Sequence, residues 1–173
     1  MMNFPLTLAA IFRHVEQVFP RRDVVTRLAD GSLHRYTYAD FGARTRCLAG
    51  ALQRLGVRPG DRVATLGWNH YQHLEAYFGI PMTGAVLHTL NLRLHSDELA
   101  FIVNDADDRV LFVDESLLPL WEQVRPRTRV DRTVVVGATG PVPTGYLEYE
   151  ALLDDAEALS AMSDPDERAA AAM

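Results

Sequence analysis

The sequence predicts an α/β fold, a mainly parallel sheet flanked by helices and preceded by one helix and a β-hairpin. Three observations carry this. Four short apolar, β-prone runs, 62–66, 85–90, 109–113 and 132–136, begin 23, 24 and 23 residues apart. Helical patterns fill the intervals between them. The runs are continuous rather than alternating, as strands buried on both faces of a parallel sheet are. A leucine-rich solenoid has a similar period, but these units share no repeated leucine and asparagine template.

Before the first run, Leu8, Ile11, Phe12, Val15, Val18 and Phe19 recur at helical spacing, which predicts a helix over 6–18. Pro20 ends it by pushing Phe19 out of the helical region. Residues 24–28 and 33–37 flank Asp30-Gly31, a hairpin signal in which both turn residues are expected at positive φ. Thr37 and Asp40 have the spacing of a capping box. Phe41, Leu48, Leu52 and Leu55 continue that helix on one face, and Gly56 is expected to close it in the left-handed conformation. Further helices are predicted over 71–79, over 97–104 with Ser96 as the cap, and over 116–124. Gly137 to Pro143 is a loop by composition, and 147–156 one more helix. The stretch from Ser160 to Met173 carries neither caps nor a core pattern and is expected to be a cut end.

At 173 residues the chain suffices for one domain with its own core, and 48% hydrophobic with 23% charged residues is a globular composition. No apolar run approaches the roughly 18 residues a spanning helix needs. The net charge is −6, with eight acidic residues beyond position 147, which disfavours a phosphate-tracking nucleic-acid binder. All seventeen basic residues are arginine, so no lysine Schiff base, lysine general base or phosphate-loop ammonium is available to the chain. The single Cys47 forms no internal disulfide, and Met1-Met2-Asn3-Phe4-Pro5 lacks the basic start and apolar stretch of a secretory leader. Both point to a reducing, cytoplasmic location.

Local chemistry completes no active site. His70 and His73 stand three apart on a predicted helix, with His88 and His95 downstream, but no cysteine or nearby carboxylate completes a metal-ligand spacing. Packing or solvated histidines are the preferred reading. Gly56, Gly60 and Gly67 form no dinucleotide fingerprint. Cys47 sits mid-helix among Leu48, Ala49 and Ala51 and is expected buried and inert. Asp114 and Glu115 are neighbours at a strand end, where adjacent side chains point apart. Asp105, Asp107 and Asp108 fit a turn entering a strand and lack the spacing of a calcium loop. Trp68 and Trp121 are expected in the core or at its rim.

Longer motifs add a family. Tyr36-Thr37-Tyr38-Ala39-Asp40, the helix end Ala51-Leu52-Gln53-Arg54-Leu55-Gly56-Val57 and Arg58-Pro59-Gly60-Asp61-Arg62-Val63-Ala64 resemble the start of the adenylate-forming enzymes. Gly84-Ala85-Val86 and the segment from Asp97 to Asp105 fit the same family. Residues 67–78 and His88 to Leu94 are most similar to bacterial medium- and long-chain fatty acid CoA ligases, with the likeness in register from about residue 6 to 157.

The resemblance implies the N-terminal part of the large domain of that fold, with residues 1–157 a partial AMP-binding domain and 158–173 a tail leading toward a phosphate-binding loop. It also implies a parent that activates a fatty acid with ATP and Mg²⁺ and transfers the acyl group to CoA. The matched positions include none of the family's catalytic, cofactor or metal residues, so no site residue is carried over and no cofactor is expected on this chain. The chain alone is expected to be inactive and to be poorly soluble, because a sheet cut from a larger domain exposes an unpaired edge. Expected partners of the parent are fatty acid, ATP and CoA, with a possible homodimer, membrane contact at most peripheral, and no nucleic acid. The alternative is a stand-alone interaction or dimerisation module derived from such an enzyme.

Overall fold

In the computed structural model, described for residues 5–160 and 166–173, the elements follow in this order: α1 (Leu8–Val18), β1 (Asp23–Arg27), β2 (Leu33–Thr37), α2 (Tyr38–Arg54), β3 (Arg62–Leu66), α3 (Tyr71–Gly79), β4 (Val86–Thr89), α4 (Ser96–Asp105), β5 (Asp108–Asp114), α5 (Leu118–Val124), β6 (Arg132–Val136), β7 (Leu147–Glu148) and α6 (Tyr149–Asp154). The opening residues 1–4 and positions 161–165 of the expected cut end lie outside the described residues.

Strands β3 to β7 form one sheet in the order β4-β3-β5-β6-β7, every pair parallel, while β1 and β2 make a separate antiparallel hairpin. Side chains alternate across a strand, and that alternation sorts the core into two layers. Val63, Val110, Phe112, Val134 and Val136 pack against α2, α3 and α6. Ala64, Leu66, Leu111, Val113 and Val135 face α4 and α5. A third cluster, built on Phe12, Tyr36, Phe41 and Met82, fastens α1 and the hairpin to the first layer. Three of the five parallel strands, β3, β5 and β6, are therefore covered on both sides, which is why their sequences carry no polar alternation.

Local signals set several boundaries. The Thr37 hydroxyl accepts from the Asp40 N–H, and the Asp40 carboxylate accepts from the Thr37 N–H at 2.9 Å, so the capping box forms as expected. At the other end of α2, Gly56 has φ +88, its N–H donates to the Gln53 carbonyl, and the Val57 N–H donates to Leu52. This is a Schellman closure, which a residue with a Cβ reaches only under strain.

Other expectations are corrected. In the hairpin turn only Gly31 has positive φ; Asp30 does not, because the loop closes through Leu28 and Ser32 and needs a single left-handed residue to match the strand twist. The cap of α4 is His95, whose Nδ1 accepts from the Asp97 N–H while Glu98 accepts from the His95 N–H; Ser96 is already the first helical residue. The predicted helix 116–124 divides into a 3₁₀ turn, Glu115–Leu117, and α5. Leu147 and Glu148 pair with Val134 and Val135 as β7 before α6 begins, since the sheet offers an open neighbour there. The last residues also have partners: Leu87 donates to the Ala171 carbonyl and accepts from the Met173 N–H, placing Ala172 parallel to β4.

Candidate functional site

The topology marks one place on the sheet. From β3 the chain passes through α3 to β4 on one side, and from β5 it passes through α5 to β6 on the other. The two connections leave in opposite directions, and in open α/β sheets such a point leaves a crevice outside the carboxyl ends of the two strands. Here it lies between Thr65-Leu66-Gly67 and Asp114 and is lined by Thr65, His70, Gln72, His73, Asp114 and Tyr149.

Each polar side chain has a structural reason to be there. His70 caps α3, its Nδ1 accepting from the His73 N–H at 3.2 Å. That orients Nε2 toward Asp114, 3.3 Å from Oδ2. Asp114 in turn caps the following 3₁₀ turn, accepting from the Ser116 N–H at 2.9 Å and from its hydroxyl at 2.5 Å. Trp68 completes the chain by donating Nε1–H to the Ser116 Oγ at 3.0 Å. Burial alone would raise the Asp114 pKa, yet the bonds from His70 and Ser116 hold it below the ordinary carboxylate range. His73 reaches Thr65 Oγ1 through Nε2 at 3.1 Å, and burial, helped by the neighbouring His70, depresses its pKa.

A second polar group adjoins the crevice through Tyr149. Glu75 is wholly buried, and Arg44 holds it with Nε at 2.7 Å and Nη2 at 3.2 Å while the Tyr149 hydroxyl donates at 2.7 Å. The same guanidinium grips Glu150 at 2.8 and 3.1 Å. One arginine therefore ties α2 to both α3 and α6. Burial pushes the Glu75 carboxyl upward against the opposing pull of Arg44 and Tyr149.

The crevice has a volume of about 10 Å³, room for about one water. That volume is too small for a nucleotide or CoA. The lining residues lock strand ends to a helix start. Of the residues singled out in the sequence, the structure brings Gly67, Trp68, His70, His73 and Asp114 together and disperses the rest. His88 is bonded through Nδ1 to Asp108 at 2.8 Å inside the sheet, and His95 is a helix cap. Glu115 accepts from the Thr139 N–H and hydroxyl. Trp121 is buried with its N–H on Thr133, whereas Trp68 is 54% exposed. Cys47 is half-buried rather than buried. Asp107 takes φ +52 in the turn before β5. Among the described residues no three His, Cys, Asp or Glu side chains are placed to hold one metal ion. No helix of the described residues is long and apolar enough to cross a membrane.

Sequence reasoning did not find Thr65, Gln72, Tyr149 or the Arg44–Glu75–Glu150 group. A signal for the last existed: Arg44 lies between Phe41 and Leu48, and Glu75 beside Ala76 and Gly79, so charge falls on the apolar stripe of both helices.

The AMP-binding enzyme family model matches residues 12–173. The chain belongs to the AMP-binding enzyme family. It is 47% identical over 176 aligned residues to a long-chain-fatty-acid–CoA ligase of Thermus thermophilus, covering all of this chain and 31% of that protein. It is 34% identical to a 3-methylmercaptopropionyl-CoA ligase of Ruegeria pomeroyi, again across the whole chain and 33% of the relative. Among solved structures, the anthranilate CoA ligase AuaEII in complex with anthranoyl-AMP superposes with a TM-score of 0.88 at 23% identity, over 99% of this chain and 32% of that one. This member of the AMP-binding enzyme family thus shares the fold of adenylate-forming ligases and spans about a third of the length of the relatives it matches.

Proposed function

We propose that this chain is the N-terminal portion of an ATP-dependent fatty acid–CoA ligase and that it is inactive by itself. The observation that carries the reading is the 47% identity, across the whole chain, to the Thermus long-chain-fatty-acid–CoA ligase. In the complete protein the acid carboxylate attacks the α-phosphate of ATP, giving acyl-AMP and pyrophosphate, and the CoA thiolate then displaces AMP. Negative charge builds on phosphoryl oxygens in the first step, so Mg²⁺ and fixed donors provide most of the stabilisation. The lack of lysine and the water-sized crevice support a structural part for residues 1–173, a flank of the large domain that holds no reacting group. ATP, Mg²⁺ and CoA belong in this reading to the complete protein, working in the cytoplasm.

The test is fatty-acid-dependent pyrophosphate release from ATP, measured on this chain and on the same chain extended through the downstream reading frame. Release by the extended protein only is expected. Turnover by the isolated chain, or none by the extended one, overturns the reading.

A further inference from the structure

The amino ends of β3, β5 and β6 border a cleft of about 340 Å³, at the opposite end of the strands from the crevice between Thr65 and Asp114. Buried Val57 and Val110 form part of its wall, and Arg58, Arg109 and Arg132 line it with them.

The three arginines come from separate segments. Arg58 lies in the turn before β3, and Arg132 opens β6. Arg109 arrives through an irregularity in the sheet: Asp108 stands opposite Arg62 and Val110 opposite Val63, so Arg109 is an extra residue in β5. A bulge of this kind re-aims a side chain. Strict alternation would set Arg109 and Val110 on opposite faces, yet both line the cleft.

Two carboxylates share the lining, and both are engaged. Asp61 accepts from the Arg58 N–H at 2.8 Å, and Asp131 accepts from the Arg109 Nη1 at 3.1 Å. The Arg58 and Arg132 side chains are exposed and form no ion pair among the described residues. The lining thus carries three positive charges against two negative, in a chain whose net charge is −6. Guanidinium groups recognise phosphate and carboxylate oxygens through paired N–H donors. A carboxylate offers two oxygens in one plane, whereas a phosphoryl group offers three in a tripod, which suits donors supplied by three segments. The volume is that of a small-molecule site.

We propose that this cleft binds a phosphoryl dianion, free or as a small monoester, through Arg58, Arg109 and Arg132. The inference does not rest on the ligase reading.

Titration calorimetry of the chain with inorganic phosphate, phenyl phosphate and acetate in low-salt buffer tests it. Both phosphates should bind saturably, with acetate about tenfold weaker or more. Tighter binding of phenyl phosphate identifies an ester as the ligand, and equal or weaker binding identifies free phosphate; either supports the site. Arg58→Gln and Arg132→Gln should each raise the phosphate Kd about tenfold, the loss of a charge-assisted hydrogen-bonded contact. Arg132→Lys keeps the charge without the planar fork and should weaken binding in the same direction. Arg93→Gln removes another exposed arginine, on the loop after β4, and should leave Kd unchanged. All these positions are exposed, so the fold tolerates the changes. Amide NMR signals of Gly56 and Arg132 should shift on titration while those of Gly67 and His70 stay in place. Four results each overturn the proposal: no saturable binding of either phosphate, acetate binding as tightly, an equal loss in Arg93→Gln, or no shift at Gly56 and Arg132.

Discussion

Glu75 has no exposed surface, and its charge is tolerated because Arg44 and Tyr149 occupy both carboxylate oxygens. Removing one partner of such a buried pair strands the other in a medium that solvates it poorly. Arg44→Ala is expected to lower stability by about 3 kcal/mol in urea unfolding. Glu75→Gln should do less damage, because it removes the buried charge and leaves Arg44 engaged with Glu150. The histidines set a pH dependence. Burial holds the His73 pKa below its ordinary 6.5, and burial together with Arg44 does the same for His34. Their neutral forms are the ones the fold accommodates. Their contribution is complete above pH 6.5 and is lost as pH falls from there through the folded-state values. His73→Gln should flatten that slope in unfolding curves recorded across the range, with His34 supplying what remains.

At the scale of elements, close approach decides what substitutions α2 accepts. Residues 157–159 cross the outer side of α2, where the Leu159 N–H donates to the Arg46 carbonyl at 3.2 Å. A Cβ on Gly50 would stand 2.0 Å from the Glu157 carbonyl oxygen, and that atom belongs to backbone and cannot rotate away. Gly50→Ala would be mildly favourable in an isolated helix. Here it is expected to displace the crossing segment, seen as faster amide exchange at Leu159 while α2 keeps its protection. Unchanged exchange at Leu159 would show that the segment does not pack there. Gly79 plays a related part where α3 meets α2, with the space of its missing Cβ filled by the Leu48 side chain at 2.9 Å.

Across the whole molecule the sheet organises everything else. Its central strand β5 contributes Val110 and Phe112 to one core layer and Leu111 and Val113 to the other, so the two helical layers are bound to each other through it. The carboxyl-end crevice follows from strand order, and its small volume follows from His70, His73 and Tyr149 filling it. The β1–β2 hairpin lies outside this sheet and is held to it through the cluster of Phe12, Tyr36, Phe41 and Met82.

The sequence by itself determined the elements whose signals are local: the strands over 62–66 and 132–136, the helix over 71–79, the Thr37–Asp40 cap and the Gly56 closure all lie where periodicity and capping chemistry place them. It also carried the family resemblance, because that is written in contiguous motifs. Only the tertiary structure decided the strand order, the pairing of Leu147–Glu148 and of Ala172 with their strands, and the meeting of Arg44 with Glu75 and Glu150. The physical reason is range. A cap or a helical stripe is settled within a few residues of chain, whereas Arg44 and Glu150 are 106 positions apart and acquire their interaction only when the core brings α2 and α6 together.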